Sequence, residues 1–508
     1  MDSDRVRLAD VLSSLALAIE IGLGVPAQTI QRTAIVAVRL ARANGLDDED
    51  VVAAYYLAIL RYVGCSTTAH KTSMVLDELA LGDLLVAADD EFMPIFEAVL
   101  RATMPDDQAR AVVQAMSSPG PEMGHHHRNH CEAGELIAKR FGLGPRVVAG
   151  LAHAYERWDG MSTQKLAEGE AISLPMRVVH VAWQIGQDSI TRNATNIGQR
   201  LVARAGKSLD PRLVALVAED MAHFLDGLDE GDLTQAVLET EPGPWIEVAG
   251  EEIDKALSGI ADFGDLKSPH MIGHSRRVAT VAREAAQAVS MPAADVALVS
   301  RAALVHDIGR VGVQSSLLSK PGNLTRAEHE RIRLHSYLTE RIFADNLVLA
   351  PLGAVGCTHH ERLDGSGYHR GLKATGLSAP ARVLAAANAW CAMTEARPHR
   401  PQMTDSETAN FLASQVKIGL LDRNAVDAVI VSVGRKGRQS RRAAAISLSD
   451  REIEVLRLVA REETNASIAV TLGISPKTVE RHVTHIYDKL GISTRAGAAI
   501  YALENGLM

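Results

Sequence analysis

His306 and Asp307 stand side by side in the run Arg301-Ala-Ala-Leu-Val-His-Asp-Ile-Gly-Arg310. An imidazole and a carboxylate carried into an apolar interior are costly unless something binds them. A hydrogen-bonded core pair is one solution and a divalent metal is another. The two separate on whether more ligand types recur at inward positions, and here they do. His274 shares a helical face with Val278, Val281, Ala282 and Ala285. Val299 and Ala303 precede the His306-Asp307 pair at helical spacing. His335 sits among Ile332, Leu338 and Ile342; Val355 lies four before His359, and Leu384 four before Asn388. Five helices are thus expected to aim His274, His306, Asp307, His335, His359, His360 and Asn388 at one interior point. Such a set is hard to satisfy without metal, and His306 and Asp307 are its catalytic candidates.

The set exceeds what one ion needs, so two divalent ions sharing Asp307 are expected. Imidazole and carboxylate suit Fe, Mn, Zn or Ni alike. Metal lowers the pKa of bound water toward ~7, and two ions clamp the attacking and leaving oxygens of a displacement at phosphorus. The loop Glu361-Arg-Leu-Asp-Gly-Ser-Gly-Tyr-His-Arg-Gly371 follows the double histidine directly and reads as a pocket wall. Arg310, Arg397 and Arg400 are the candidates for contacts to substrate phosphate, because guanidinium forks match phosphate oxygens.

The elements that must position these groups are helices. The 508 residues are 47% hydrophobic but only 4% aromatic, and Ala-, Leu- and Val-rich. An all-α protein of roughly three domains at ~150 residues each is expected. A net charge of −9 excludes a chain that coats nucleic acid along its whole surface. Cys65, Cys131, Cys357 and Cys391 lie far apart with no CxxC pair, which fits reduced thiols in a cytoplasmic protein. The apolar stretch 11–25 carries Glu20 and falls short of the ~18 uninterrupted apolar residues of a membrane span. No membrane partner is expected.

The two halves of the chain look like copies of one another. Asp50-Val51 and Gly64 align with Asp295-Val296 and Gly309 at an offset of 245. His130, Glu156-Arg-Trp-Asp-Gly160 and Arg177 align with His335, Glu361-Arg-Leu-Asp-Gly365 and Arg382 at an offset of 205; the difference, 40 residues, is an insertion in the first copy. Opposite His274, His306, Asp307, His359, His360 and Asn388, the first copy has Thr29, Arg61, Tyr62, Ala154, Tyr155 and Trp183. It keeps the shape and loses the chemistry, as a regulatory or dimerising module would. Its His125-His-His-Arg-Asn-His130 reads as a surface tract, since neighbouring helical residues point in different directions.

Taken in order, His274-Ser-Arg-Arg-Val, His306-Asp-Ile-Gly, Lys320-Pro-Gly-Asn-Leu-Thr, His335, His359-His-Glu-Arg-Leu-Asp-Gly-Ser-Gly-Tyr and Arg397-Pro-His-Arg resemble the HD-GYP family, over about residues 260–430. That resemblance implies a helical, metal-dependent phosphodiesterase acting on cyclic di-GMP. It implies metal ligands at His274, His306, Asp307, His335, His359 and His360, and phosphate contacts at Arg310, Arg397 and Arg400. Three positions depart: the family's last metal-binding Asp is Asn388, a second Asp is Cys391, and the Pro of the name motif is His369. Two divalent ions with one Asp leave a formal charge of about +3, against about +2 with the usual Asp. Such a site still holds a doubly anionic cyclic dinucleotide, either to cleave it or to sense it.

Beyond Gly434 the composition turns basic in Arg435-Lys-Gly-Arg-Gln-Ser-Arg-Arg442. Ser449 with Glu452 reads as a capping box, and Asn465–Leu472 as a short helix. The turn Gly473-Ile-Ser then leads to a longer helix from Pro476 to about Leu490. This is helix-turn-helix geometry, with Lys477, Thr478, Arg481, His485 and Lys489 on the free face as DNA-binding candidates. Leu448-Ser-Asp-Arg-Glu, Ile474-Ser-Pro-Lys-Thr-Val-Glu-Arg-His482, Lys489-Leu-Gly and Arg495 closely resemble the LuxR-type DNA-binding domain. The resemblance implies a homodimer on double-stranded DNA. The expected organisation is a degenerate HD-like domain over 1–245, a metal-binding domain over 246–432, a basic linker over 433–446 and a small four-helix domain over 447–508.

Overall fold

The computed structural model describes residues 5–73, 82, 84, 89–117, 121–190, 196–436 and 448–508. Most of the expected linker, 437–446, lies outside the described residues; before it, the helix Arg423–Lys436 continues four residues past the expected end of the metal-binding domain. The chain divides into two compact units, Met1–Gly250 and Glu251–Met508, so the first boundary falls five residues later than expected. The architecture is helical. A single antiparallel ribbon, Arg5–Arg7 with Glu247–Ala249, closes the first unit on itself.

The first unit is built on helices Leu8–Leu23, Thr29–Ala43, Asp48–Leu60 and Leu174–Asp188. Their low polarity reflects burial on nearly every face. Asp48–Thr68 is long and apolar enough to cross a membrane, yet 83% of its window is buried inside the unit, as in a core helix. Glu20 lies inside this core and accepts the amides of Gln28 (3.0 Å) and Ile30 (2.7 Å), closing the start of the Thr29–Ala43 helix.

The second unit is carried by helices Glu251–Asp265, His274–Ala288, Ala293–Val305, Arg326–Ala344, Ala350–Gly356, Ala379–Thr394 and Arg423–Lys436. Val278, Ala282, Ala285, Val299, Ala303 and Leu384 are fully buried, which fixes the rotation of the helices bearing them.

The repeat is visible in contacts as well as in sequence. A Cβ on Gly64 would lie 1.9 Å from the His130 carbonyl oxygen, and one on Gly309 would lie 2.0 Å from that of His335. Each glycine lets a short turn press backbone against backbone on the histidine helix. The Nε of Arg177 donates to the Ile172 carbonyl (3.0 Å), and that of Arg382 donates to the Leu377 carbonyl (3.1 Å), the same contact 205 residues on.

The histidine tract of the first copy does not lie on the surface. His130 is buried and His126 and His127 are half-buried, whereas Arg128 faces water; the His125 side chain lies outside the described residues. Positions i, i+1 and i+4 share one helical face, so three of the histidines turn inward together. His127 stacks on Tyr155 at 4.2 Å, and His130 Nδ1 meets the Tyr155 hydroxyl at 2.9 Å. Tyr62 packs edge-on against Trp183 at 4.6 Å. Aromatic rings and hydroxyls thus fill the space that the ligand candidates occupy in the second copy.

Candidate metal centre and DNA-reading helix

His274 is the first residue of its helix, His335 is in mid-helix, and Asn388 lies within Ala379–Thr394. The other ligand candidates differ from expectation. The helix Ala293–Val305 ends before His306-Asp307, and Ala350–Gly356 ends before His359-His360. Both pairs sit just past helix C-termini, where carbonyls lack intrahelical partners. His306 Nδ1 donates to the Ala303 carbonyl (2.8 Å) and His359 Nδ1 to that of Gly356 (2.7 Å). His335 Nδ1 does the same to Ile332 (2.5 Å).

With each Nδ1–H engaged, all three Nε2 atoms face inward, open to a metal or a proton; burial opposes charge on His306, but Asp307 outweighs it and raises that imidazole above its usual range. His335 Nε2 and His359 Nε2 are 3.0 Å apart. Asp307 Oδ1 lies 3.5 Å from the first and 3.3 Å from the second. Its other oxygen, Oδ2, lies 3.3 Å from His306 Nε2 and 3.6 Å from His274 Nε2. One carboxylate therefore divides two ligand groups, His335/His359/His360 and His274/His306/Asp307; within each, the ligand atoms all lie within 4.8 Å of one another. His306 Nε2 and both Asp307 oxygens are buried without a well-formed hydrogen bond. Lone pairs facing one another in the interior need a cation, and the donor set suits a divalent metal.

Burial pushes His335 and His360 well below the usual imidazole range and His359 down to about 4, keeping these nitrogens unprotonated. Burial also opposes charge on Asp307, but Arg310 and His306 outweigh it and hold the carboxyl well below its usual range. Asn388 Oδ1 stands 3.0 Å from His274 Nε2, inside the cluster.

The three arginines diverge. Arg310 lies against the centre, with its Nε 2.8 Å from Asp307 Oδ2. Arg397 is turned onto Glu395 (2.7 Å) and Met271 rather than left free for phosphate. Arg400 is likewise engaged, donating to the main-chain carbonyls of Met393, Glu395, Pro401 and Ala392. The glycine-rich loop is held from inside. Glu361 accepts the amides of Arg370 (2.8 Å), Gly371 (3.2 Å) and Leu372 (2.9 Å), and Tyr368 stacks on His360 at 4.6 Å. Sequence reasoning missed Glu395, which meets His274 from 121 residues away, and Tyr368, whose stacking depends on how the loop closes.

At the C-terminal end, helices Asp450–Ala460, Asn465–Leu472, Pro476–Leu490 and Arg495–Glu504 form the expected four-helix module. The Ser449/Glu452 capping box and the Ser475 cap are both formed. Arg495 braces the helix-turn-helix by donating to Asn465 Oδ1 (2.9 Å) and the Glu463 carbonyl. Lys477, Arg481 and His485 are exposed on the longer helix, while Thr478 is half-buried with its hydroxyl on Ser475 (2.8 Å). Lys489 is exposed as well, but its ammonium is paired with Glu452 at 2.7 Å.

Residues 260–425 match the family model of the HD domain, and residues 446–502 match that of bacterial regulatory proteins, luxR family. The chain is 25% identical over 405 residues to 3'3'-cGAMP-specific phosphodiesterase 3 of Vibrio cholerae, covering 78% of this chain and 88% of that protein. It is 34% identical over 151 residues to a cyclic di-GMP phosphodiesterase of Thermotoga maritima, where it spans 40% of the relative. A crystal structure of a cyclic GMP-AMP specific phosphodiesterase of V. cholerae, V-cGAP3, superposes with a TM-score of 0.59 at 21% identity, covering 85% of this chain and 98% of that one. The fold is therefore the helical HD type, followed by the small helical module of the tail. The chain joins an HD domain, with cyclic dinucleotide phosphodiesterases among its relatives, to a LuxR-family regulatory domain.

Proposed function

We propose that this protein is a transcriptional regulator whose HD domain is a metal-dependent phosphodiesterase for 3',3'-linked cyclic dinucleotides and whose tail binds double-stranded DNA as a dimer. One observation carries the enzymatic part. The two oxygens of Asp307 each face a separate set of inward imidazole nitrogens. His274, His306 and Asp307 would hold one divalent ion, and Asp307, His335, His359 and His360 a second. Bound metal supplies Lewis acidity toward phosphate and activates water near neutral pH. Arg310, beside Asp307, is the residue placed to meet a phosphate oxygen. The reaction adds water across one phosphodiester and releases a linear dinucleotide. The two relatives above are named for 3'3'-cGAMP and cyclic di-GMP, and both are candidate substrates.

A second reading, favoured by Asn388 in place of a charged ligand, is a sensor that binds the dinucleotide without turning it over. In both readings Lys477, Arg481 and His485 supply the DNA face.

Elemental analysis of the purified full chain, with hydrolysis of cyclic di-GMP and 3'3'-cGAMP followed by chromatography, tests the proposal. Asp307→Ala is expected to lose bound metal and at least about 100-fold in turnover, since removing an essential group commonly costs this much or more. Metal bound without turnover selects the sensor; no metal in the wild type removes both readings.

A further inference from the structure

Three of the ligand histidines are oriented by their own helices. His306, His335 and His359 each donate Nδ1–H to the carbonyl three residues earlier, so each presents Nε2. His274 is held differently. It opens its helix, and it is the main-chain amide of His274 that meets the carbonyl three residues back, that of Met271, at 2.8 Å. Its Nδ1 instead meets the Glu395 carboxylate at 2.9 and 3.1 Å. Glu395 is largely buried and is gripped from two sides: Arg277 Nε donates to Oε1 (2.8 Å) and Arg397 Nη2 to Oε2 (2.7 Å). The carboxylate is thus aimed at one ring nitrogen and has no freedom to leave it. On the opposite side of the same ring, Nε2 faces Asn388 and Asp307.

We infer that Glu395 is the positioning residue of the metal centre: it fixes the Nδ1–H tautomer and ring orientation of His274, and Arg277 and Arg397 fix Glu395. This rests on the metal reading proposed above. An anionic acceptor behind a ligand imidazole strengthens the nitrogen opposite as a donor, which a neutral carbonyl does less well. The effect falls on the one histidine whose neighbour in the site is an uncharged amide, where donor strength is most needed. Arg397, whose Nη2 donates to Glu395 and also lies 3.4 Å from His274 Nδ1, is accordingly turned to this pair and not to substrate.

Mn2+ affinity of the full chain, measured by competition with a chromophoric chelator, tests this without reference to turnover. Glu395→Gln keeps the volume and loses the charge, and Glu395→Ala loses both. Losses of about 10-fold and about 100-fold are expected, the range seen when outer-shell partners of metal ligands are removed. In a His274→Ala background the same substitutions should cost nearly nothing, because the ligand through which Glu395 acts is gone. Wild-type affinity in either folded Glu395 variant overturns the inference. So does an undiminished loss in the His274→Ala background, which would mean that the carboxylate acts by another route. A wild type that takes up none of Mn2+, Fe2+, Zn2+ and Ni2+ removes the metal reading itself, and the inference with it.

Discussion

Asn388 places an amide where the site asks for a charge. Its Oδ1 is 3.0 Å from His274 Nε2 and contributes a dipole to a cluster whose one inner carboxylate is Asp307. Glu395, one shell out, is held ionised by His274, Arg277 and Arg397 against the burial that would raise it. The inner deficit nevertheless remains. Asn388→Asp is therefore expected to tighten Mn2+ binding by on the order of 10-fold, ~1.4 kcal/mol, and to raise turnover with it. Chelator competition on the two proteins checks the first, and hydrolysis of the same dinucleotides the second. A variant indistinguishable from wild type would mean that the amide already serves as well as a carboxylate.

At the level of elements, the site depends on short turns pressed onto long helices. The turn Ile308–Gly312 lies so close to Arg326–Ala344 that a Cβ on Gly309 would fall 2.0 Å from the His335 carbonyl and 2.6 Å from the Thr339 amide. Thr339 locks the contact, donating to the His306 carbonyl (2.9 Å) and accepting from the Gly309 amide (3.0 Å). Both obstructions are backbone, so nothing can rotate away. Gly309→Ala should destabilise by about 1–3 kcal/mol, as overpacking does, and should also weaken metal binding by moving His306 relative to His335. Gly64→Ala meets the matching carbonyl of His130 in the first copy, where no such ligand set stands among the described residues. It should lower the melting temperature and leave metal content unchanged, and the pair of variants separates stability from chemistry.

For the whole molecule, an HD domain with its candidate ligands brought together is combined with a LuxR-family regulatory domain. Ligand at one site and DNA at another, if coupled, alter each other's affinity by the same factor. The DNA side can be tested alone. Arg481, exposed on the long helix of the tail, should contribute either a base contact or a phosphate contact. Arg481→Ala should weaken operator binding by ~1–3 kcal/mol with relaxed sequence preference in the first case. In the second it should reduce the salt slope by about 1 at every sequence. Gel-shift titrations across salt concentrations decide between them. Lys489→Ala should change DNA affinity little, since its ammonium is occupied by Glu452.

The parts that could be read from sequence are those encoded over one or two helical turns. Capping boxes, the proline opening the recognition helix and the inward stripe around His274 are short-range patterns that local sterics and hydrogen bonding enforce. The repeat was legible because two copies carry one pattern at fixed offsets. Tertiary packing decided what depends on residues far apart in the chain. Glu395 meets His274 across 121 residues, and Lys489 meets Glu452 across 37. The inward turn of His126, His127 and His130 depends on Tyr155 and Thr68 being there to receive them. Spacing rules nominate a helical face, but only the fold says what stands opposite it. The sequence alone determined which side chains carry ligand chemistry; the closing of distant helices around Asp307 determined that its two oxygens face two separate groups.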